Sequence, residues 1–330
     1  MKMKSRNSLL HIGLVLLMAT ACAFVSCDRP PKTVAKVRKI QILQLGTYPV
    51  IDSVVTGFKD RSAELFGGTV QLTILNGNFD SMTLSTLARQ MSSSDADLLV
   101  SVTTPATGTV VGANRGSKPL VFTFVSNPPS VGFNGPGTLP NTTGLSDVVD
   151  YEGTLRMIRN ILPQATTIGY LLTRSEENAQ VVYNGFQEKA PGFGFRLVVA
   201  GIGDERDVRP AAEMLAPKVD LFLLGGDNTV AKAIDTLLMS AKAQTKPVPV
   251  FACDIESVKN GAIAAYSVDY KQMGRRTAEI CGLILGGADP NRMDVEHFPA
   301  TALVLNDTSA KIFHVNIPPD LRREAKLIVP

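Results

Sequence analysis

The chain has 330 residues, of which 45% are hydrophobic and 19% are charged, and its formal net charge at pH 7 is +3. The first 26 residues contain three basic residues and no acidic ones, so the rest of the chain is formally neutral. A neutral body argues against nucleic-acid binding, which depends on Lys and Arg contacts with phosphates. After residue 27 the chain has two widely spaced cysteines, Cys253 and Cys281, and two histidines, His297 and His314, which predict neither a disulfide scaffold nor a zinc site nor a Ser-His-Asp triad.

The N-terminus has the layout of an exported lipoprotein. A basic segment precedes an apolar stretch over 9–25, and the tripeptide Ser26-Cys27-Asp28 follows. The clean apolar run is shorter than the roughly 20 residues that a transmembrane helix needs. We therefore predict a signal peptide over 1–26 and a lipidated tether over 27–37. Cys27 is the predicted lipidation site, and Cys22 is the alternative.

Beyond the tether, apolar runs alternate with segments of helical periodicity. The predicted strands of this first part are 39–46, 70–75, 97–102 and 120–125. The predicted helices are 50–66, the segment around Leu84 to Met91, and 106–114. Parallel strands need crossover connections, and helices separate these strands, so we predict a parallel α/β lobe.

A loop rich in Gly, Pro and Asn covers 127–141, and the same alternation then starts again. The predicted strands of the second part are 167–173, 195–201, 221–225, 248–253 and 262–268. The predicted helices are 148–162, 176–189, 208–215, 229–243 and 271–285. Two similar α/β lobes predict either a hinged two-domain binding protein or a two-domain enzyme.

Polar residues follow several predicted strands directly. They occur at Tyr48 with Asp52 one turn later, at Thr103-Thr104-Pro105, at Ser175-Glu176-Glu177-Asn178, at Asp227-Asn228-Thr229, and at Asp254. Ligands of open parallel sheets bind beyond the carboxyl ends of the strands, where helix N-termini offer free N–H groups. Ordinary helix capping is the competing interpretation of each residue. We expect capping to account poorly for Asp254, because Glu256 and Ser257 compete with it and no strong helix follows.

Taken in order, several motifs resemble those of ABC-transporter substrate-binding lipoproteins of the tryptophan/tyrosine-binding type. They include Thr104-Pro105-Ala106, Asn141-Thr-Thr-Gly-Leu-Ser, Ser175-Glu176-Glu177-Asn178 and Asp227-Asn228-Thr229-Val230. The resemblance implies an α/β, type I-like periplasmic-binding-protein fold, with two lobes that are each a parallel sheet flanked by helices and with three hinge crossovers. It implies an N-terminal lobe of 38–145 plus 268–298, and a C-terminal lobe of 146–267 plus 299–330.

The chain differs from the family pattern at three positions. Leu172 stands where Tyr is usual, Asn127 where Asp is usual, and Ala179 where Ser is usual. Aromatic stacking faces for a ligand are therefore sought elsewhere. The candidates are Tyr48, Phe124 and Phe251.

We predict a ligand site between the lobes. Its predicted residues are Tyr48, Asp52, Thr104, Asn127, Ser175, Glu176, Asn178, Asn228 and Asp254. For a zwitterionic amino acid, Thr104 or Ser175 would bind the carboxylate. Asp254, with Asn228 and Asn178, would bind the ammonium group, and Asp52 is the second acidic candidate.

The predicted function is that of an extracytoplasmic solute-binding component of an ABC importer, without enzymatic activity. It would capture a small, amino-acid-like ligand by hinge closure and deliver it to an ABC permease. The lipid would anchor it to a bacterial membrane, facing the periplasm or the cell exterior. The alternatives are a sensor lipoprotein without transport, an extracytoplasmic α/β enzyme, and a structural or adhesive lipoprotein that has lost its ligand. We expect no cofactor, no metal and no nucleic-acid partner.

Overall fold

A computed structural model describes residues 37–330 of the chain. The predicted signal peptide and the lipidation sites Cys27 and Cys22 lie outside the described residues. Within 37–330, no helix is long and apolar enough to cross a membrane.

Six strands form the first sheet. They are β1 (Arg38–Gln44), β2 (Val70–Asn76), β3 (Leu98–Val102), β4 (Leu120–Thr123), β5 (Thr142–Val148) and β11 (Glu296–Pro299). All pairings in this sheet are parallel, in the order β11-β5-β4-β3-β1-β2. The helices of this lobe are α1 (Pro49–Phe66), α2 (Ser81–Ser93), α3 (Thr104–Asn114) and α10 (Tyr270–Leu285).

Seven strands form the second sheet. They are β6 (Thr167–Thr173), β7 (Arg196–Ile202), β8 (Leu221–Leu224), β9 (Val250–Ala252), β10 (Ala264–Ser267), β12 (Ala302–Asn306) and β13 (Leu327–Val329). Their order is β13-β12-β10-β9-β8-β6-β7, and all pairings are parallel except that of β10 with β12. The helices are α4 (Tyr151–Ile161), α5 (Glu177–Lys189), α6 (Val208–Leu215), α7 (Asn228–Lys232), α8 (Ile234–Lys242), α9 (Ile255–Asn260), α11 (Asp307–Ile312) and α12 (Pro319–Glu324).

The first five strands of each sheet share one topology, β2-β1-β3-β4-β5 in the first and β7-β6-β8-β9-β10 in the second. This is a doubly wound order that places ligands at the carboxyl edge of the sheet. The chain passes between the sheets three times, after β5, after β10 and after β11. The predicted fold class is therefore confirmed, whereas the exact lobe boundaries stay a prediction.

Burial and capping explain most of the predicted elements. Every residue of β3 and of β6 is buried, as expected for strands covered by helices on both faces. Six helices begin after a side chain that accepts a hydrogen bond from a backbone N–H in their first turn. These caps are Asp80, Asp150, Asp227, Asp254, Asp269 and Asn306.

The structure differs from the predicted elements in two places that matter for the site. Strand β5 was not predicted, because Thr142-Thr143-Gly144-Leu145-Ser146-Asp147 lacks an alternating apolar pattern although all six residues are buried. The predicted helix over 229–243 is two helices, α7 and α8, which meet at Ala233. The helix that follows β8 is therefore short and ends at Lys232.

Helices α1 and α10 are in direct backbone contact. A Cβ atom at Gly274 would lie 1.9 Å from the carbonyl oxygen of Val54, and one at Gly57 would lie 2.0 Å from that of Lys271. Because α10 is the segment by which the chain returns to the first lobe, this contact holds the return helix in place.

Gly274→Ala is expected to lower the free energy of unfolding by about 1–3 kcal/mol or more, because the helices must move apart. The matched control is Gly282→Ala on the same helix, where the nearest atom to the new Cβ lies 3.5 Å away. There alanine should stabilise by up to about 1 kcal/mol through its helix propensity. Urea unfolding measures both variants, and equal midpoints would contradict the close approach.

Candidate functional site

A cavity lies between the lobes, at the carboxyl ends of strands from both sheets. The first lobe contributes Tyr48, Thr103, Thr104, Phe124 and Ser126 to its wall. The second lobe contributes Asn178, Gly226, Asp227, Asn228 and Asp254. All three crossovers also reach the cavity, through Val149, Val268 and Ala300. Movement at the crossovers would therefore change the shape of the cavity directly.

The cavity brings together five of the nine predicted site residues. These are Tyr48, Thr104, Asn178, Asn228 and Asp254. The other four do not line it. Asp52 lies in the first turn of α1, Asn127 precedes a short 3-10 turn, Ser175 is exposed, and Glu176 is buried behind the wall.

Glu176 fixes the beginning of α7. One carboxylate oxygen, Oε2, accepts from the backbone N–H of Asn228 at 2.9 Å and from the side-chain amides of Asn228 at 2.7 Å and Asn178 at 3.2 Å. The other, Oε1, accepts from the backbone N–H of Thr229 at 2.9 Å and from its hydroxyl at 2.6 Å. Both oxygens are engaged by protein groups, so Glu176 acts as a structural anchor in this structure.

Asp227 is also engaged by the protein. It accepts from the backbone N–H and the hydroxyl of Thr173 at 2.7 and 2.8 Å, and from the N–H of Val230 at 2.9 Å. Burial raises the pKa of Asp227, and the nearby charge of Glu176 raises it further. These contacts tie α7 to the end of β6.

Asp254 lines the cavity as the N-cap of α9. Its Oδ1 accepts from the backbone N–H of Ser257 at 2.7 Å, and its Oδ2 accepts from the Ser257 hydroxyl at 2.6 Å. The expectation that capping would account poorly for Asp254 is therefore wrong, since a six-residue helix follows and Ser257 supports the cap. Burial raises the pKa of this carboxyl.

Asp147, which the sequence pattern did not indicate, is a lining carboxylate with one oxygen that has no hydrogen-bond partner on any other residue of 37–330. It lies near the end of β5, is 4% exposed and lines the cavity. Its Oδ2 accepts from the Ser126 hydroxyl at 3.2 Å, whereas Oδ1 accepts no hydrogen bond from another residue within 37–330. Burial raises the pKa of Asp147 to about 6, against the lowering effect of its own backbone N–H and of Ser126.

Three further buried polar atoms on this wall lack a hydrogen-bond partner within the described part of the chain. They are the hydroxyls of Thr103 and Thr104 and the Oδ1 atom of Asn178. The amide nitrogen of Asn178 donates to Gly226 O at 2.7 Å, which leaves its oxygen as a free acceptor. Buried polar groups are normally paired, so unpaired ones that meet in one cavity indicate a polar ligand.

Strained backbone occurs at the same place. Thr103 has φ 87° and ψ 158°, a region that is essentially reserved for glycine, and Phe124 has φ 58°. Both residues directly follow neighbouring strands and line the cavity. Such conformations persist only where the surrounding structure imposes them, and they cluster at functional sites.

The aromatic part of the cavity wall comes from the first lobe. Tyr48, Phe124 and Tyr270 line the cavity, and the rings of Phe124 and Tyr270 meet edge to face at 4.8 Å. Phe251, the third candidate stacking residue, is fully buried in the core of the second lobe. The three positions that depart from the family pattern are absent from the wall of this cavity: Leu172, Asn127 and Ala179.

Every Asp, Glu, Lys, Arg or His side chain that lines the cavity among the described residues is an aspartate. Asp147, Asp227 and Asp254 line it, and no Lys, Arg or His does so among the described residues. A positively charged group is therefore favoured and a second negative charge is disfavoured. Among these residues no cluster of three or more His, Cys, Asp or Glu side chains could hold a metal ion.

The family profile described as "ABC transporter substrate binding protein" matches residues 39–329. The chain belongs to this family. Proteins of the ABC substrate-binding family are extracytoplasmic, and they hand a small-molecule ligand to a membrane permease. The resemblance inferred from the sequence motifs is thereby confirmed.

Three relatives of this ABC substrate-binding protein are informative. It is 25% identical over 324 residues to the tyrosine-binding protein of Clostridioides difficile, covering 94% of this chain and 92% of the relative. A structure from Streptococcus pneumonia in complex with L-Trp has 25% identity and a TM-score of 0.84, covering 88% of this chain and 99% of that one. A ligand-free, open structure of an adhesive substrate-binding protein from Clostridium difficile has 26% identity and a TM-score of 0.66, covering 89% and 99%.

Proposed function

We propose that this protein captures an α-amino acid between its lobes for an ABC importer. The observation that carries the proposal is the set of four unpaired polar atoms on one cavity, contributed by both lobes. A ligand that pairs with them must touch both lobes. Its binding therefore stabilises the closed arrangement, which is the form that a permease would recognise.

The unpaired atoms match the two ends of an amino-acid zwitterion. Asp147 Oδ1 and Asn178 Oδ1 are acceptors, which suit the three N–H groups of an ammonium. The Thr103 and Thr104 hydroxyls can donate, and no side chain caps the N-terminus of α3, the end of a helix that favours an anion; together these features suit a carboxylate. The absence of basic side chains from the described wall argues against an acidic ligand side chain.

Two comparisons support an aromatic amino acid as the ligand. The relatives named for their ligands bind tyrosine or L-Trp, and the first lobe offers Tyr48, Phe124 and Tyr270 to a ring.

At nearly equal sequence identity, the chain superposes better on the L-Trp complex than on the open, ligand-free relative. This difference supports a closed arrangement of the lobes in the present structure.

The proposed setting is a lipoprotein that is exported by its signal peptide and anchored through Cys27. Anchoring would hold the binding lobes near the permease. Replacement of Cys27 by alanine should release the protein from the membrane fraction without changing its affinity for its ligand.

The test of the ligand class is calorimetry with L-tryptophan, L-tyrosine and L-phenylalanine, next to tryptamine, indole-3-propionate and L-glutamate. We expect at least one aromatic amino acid to bind, and its analogue without the ammonium or the carboxylate to bind at least tenfold more weakly, since each charge-assisted contact contributes about 1.5–3 kcal/mol. A thermal-shift screen gives a second readout, because ligand at 100 times its Kd stabilises by about 2.7 kcal/mol. A folded protein that responds to no amino acid would contradict the proposal.

A further inference from the structure

Helix α7 of the second lobe contacts the first lobe at three points. The Tyr48 hydroxyl donates to Asn228 Oδ1 at 3.1 Å, and Ala231 packs against the core of the first lobe. The third contact is a cation–π pair, in which Lys232 Nζ lies 4.4 Å from the centre of the Phe79 ring. Residues from both ends of this short helix therefore bridge the lobes.

The second lobe holds α7 rigidly. Its first residues are bound by Glu176 and its N-cap Asp227 is bound by Thr173. At its other end, Lys232 forms an ion pair with Glu205 of the same lobe. Since each end has a partner on its own lobe, α7 is expected to move with the second lobe when the cleft opens.

Backbone hydrogen bonds and close packing within the first lobe fix the position of Phe79. Asn78 and Phe79 are consecutive non-glycine residues with left-handed backbone, at φ 52° and 58°, a conformation that costs free energy. The Asn76 side chain accepts from the Asn78 N–H at 2.8 Å, and the Phe79 N–H donates to Leu45 O at 2.9 Å. Gly46 leaves room for the ring, since a Cβ there would lie 2.0 Å from it.

Phe79 and Lys232 are both absent from the wall of the cavity, in contrast to Tyr48 and Asn228. We infer that the Phe79–Lys232 pair is a latch, which sets the balance between open and closed lobes without contacting the ligand. The inference rests on the proposed function, in which closure traps the ligand. A partly exposed cation–π pair corresponds to a change of about 2- to 5-fold in such an equilibrium.

The test uses Phe79→Leu, Lys232→Gln and the double variant, with Glu205→Gln as the matched control. Glu205→Gln removes the ion pair of Lys232 within the second lobe and leaves its charge above the ring. Small-angle scattering of the ligand-free protein should shift towards the open form in Phe79→Leu and in Lys232→Gln, and should be unchanged in Glu205→Gln. Affinities for L-tryptophan and L-tyrosine should both fall by the same factor of about 2 to 5 in each single variant.

The double variant should be no weaker than the single variants, because either substitution already removes the pair. Unchanged scattering and affinity in both single variants would overturn the latch. A change in the ratio of the two affinities would also overturn it, since it would mean that these residues act on the ligand itself. If the wild-type protein binds no amino acid, the proposed function fails, whereas the ligand-free scattering still decides the latch.

Discussion

Replacing Asp147 by asparagine is expected to weaken amino-acid binding by about 10- to 150-fold while the ligand-free protein stays folded. The expected loss is one charge-assisted hydrogen bond, about 1.5–3 kcal/mol, at about 1.4 kcal/mol per decade of affinity. Stability should not fall, because Asp147 is buried with one unpaired oxygen and its raised pKa means that its charge opposes folding. Calorimetry gives the affinity and urea unfolding gives the stability.

Two variants with the same chemical change serve as controls. Asp52→Asn alters a carboxylate of the first lobe that does not line the cavity, so its Kd should equal that of the wild type. Asp254→Asn alters a lining carboxylate whose two oxygens are occupied by Ser257, and asparagine is an equally good cap. If Asp254→Asn weakens binding more than Asp147→Asn does, the ammonium belongs at Asp254 and our assignment is reversed.

The general location of the site could be predicted from the sequence. Apolar runs and helical periodicity indicated the strand–helix alternation, and that alternation implies a parallel sheet whose carboxyl edge binds ligands. Tyr48, Thr104, Asn178, Asn228 and Asp254 were selected for their place just after a strand, and all five line the cavity. Position after a strand is a local property, so the sequence reports it well.

Which of these residues are free to bind a ligand, and which are already hydrogen-bonded within the protein, could not be predicted. Glu176 and Asn178 are two positions apart in one motif, yet Glu176 is fully engaged with α7 and Asn178 presents a free oxygen to the cavity. The partners of Glu176 on α7 lie 52 and 53 residues away, on another strand–helix unit. Whether a polar group is spare for a ligand depends on such distant partners, which one sequence does not reveal.

Asp147 was missed for a related reason. It lies on β5, whose small and polar residues carry no strand pattern although they are buried between β4 and β11. The motif Asn141-Thr-Thr-Gly-Leu-Ser carries part of the family resemblance but has no strand pattern, so nothing in the local sequence marks the aspartate that follows it. The one available signal is that Asp147 directly follows a motif of the family resemblance.

The affinity for an amino acid is expected to fall as the pH is lowered through about 6. Burial raises the pKa of Asp147 to about 6 in the ligand-free protein. Below that pH the carboxyl holds a proton, which an ammonium ligand must displace, so Kd should rise by up to about tenfold per pH unit. Binding should release about one proton per ligand at pH 5 and almost none at pH 8. Calorimetry in buffers of different ionisation enthalpy measures both quantities.

The stability of the ligand-free protein should respond to pH in the opposite direction. A carboxyl whose pKa is higher in the folded than in the unfolded chain favours folding while it is protonated, so this contribution is lost as the pH rises from about 4 through about 6. Other groups titrate in the same range, including Asp227, whose pKa is also raised. The measured quantity is therefore the difference in free energy of unfolding between the wild type and Asp147→Asn at each pH, in which the contributions of those groups cancel.

The same variant tests the pH dependence of the affinity. If Asp147→Asn keeps the wild-type pH dependence of Kd, the ammonium does not bind at Asp147.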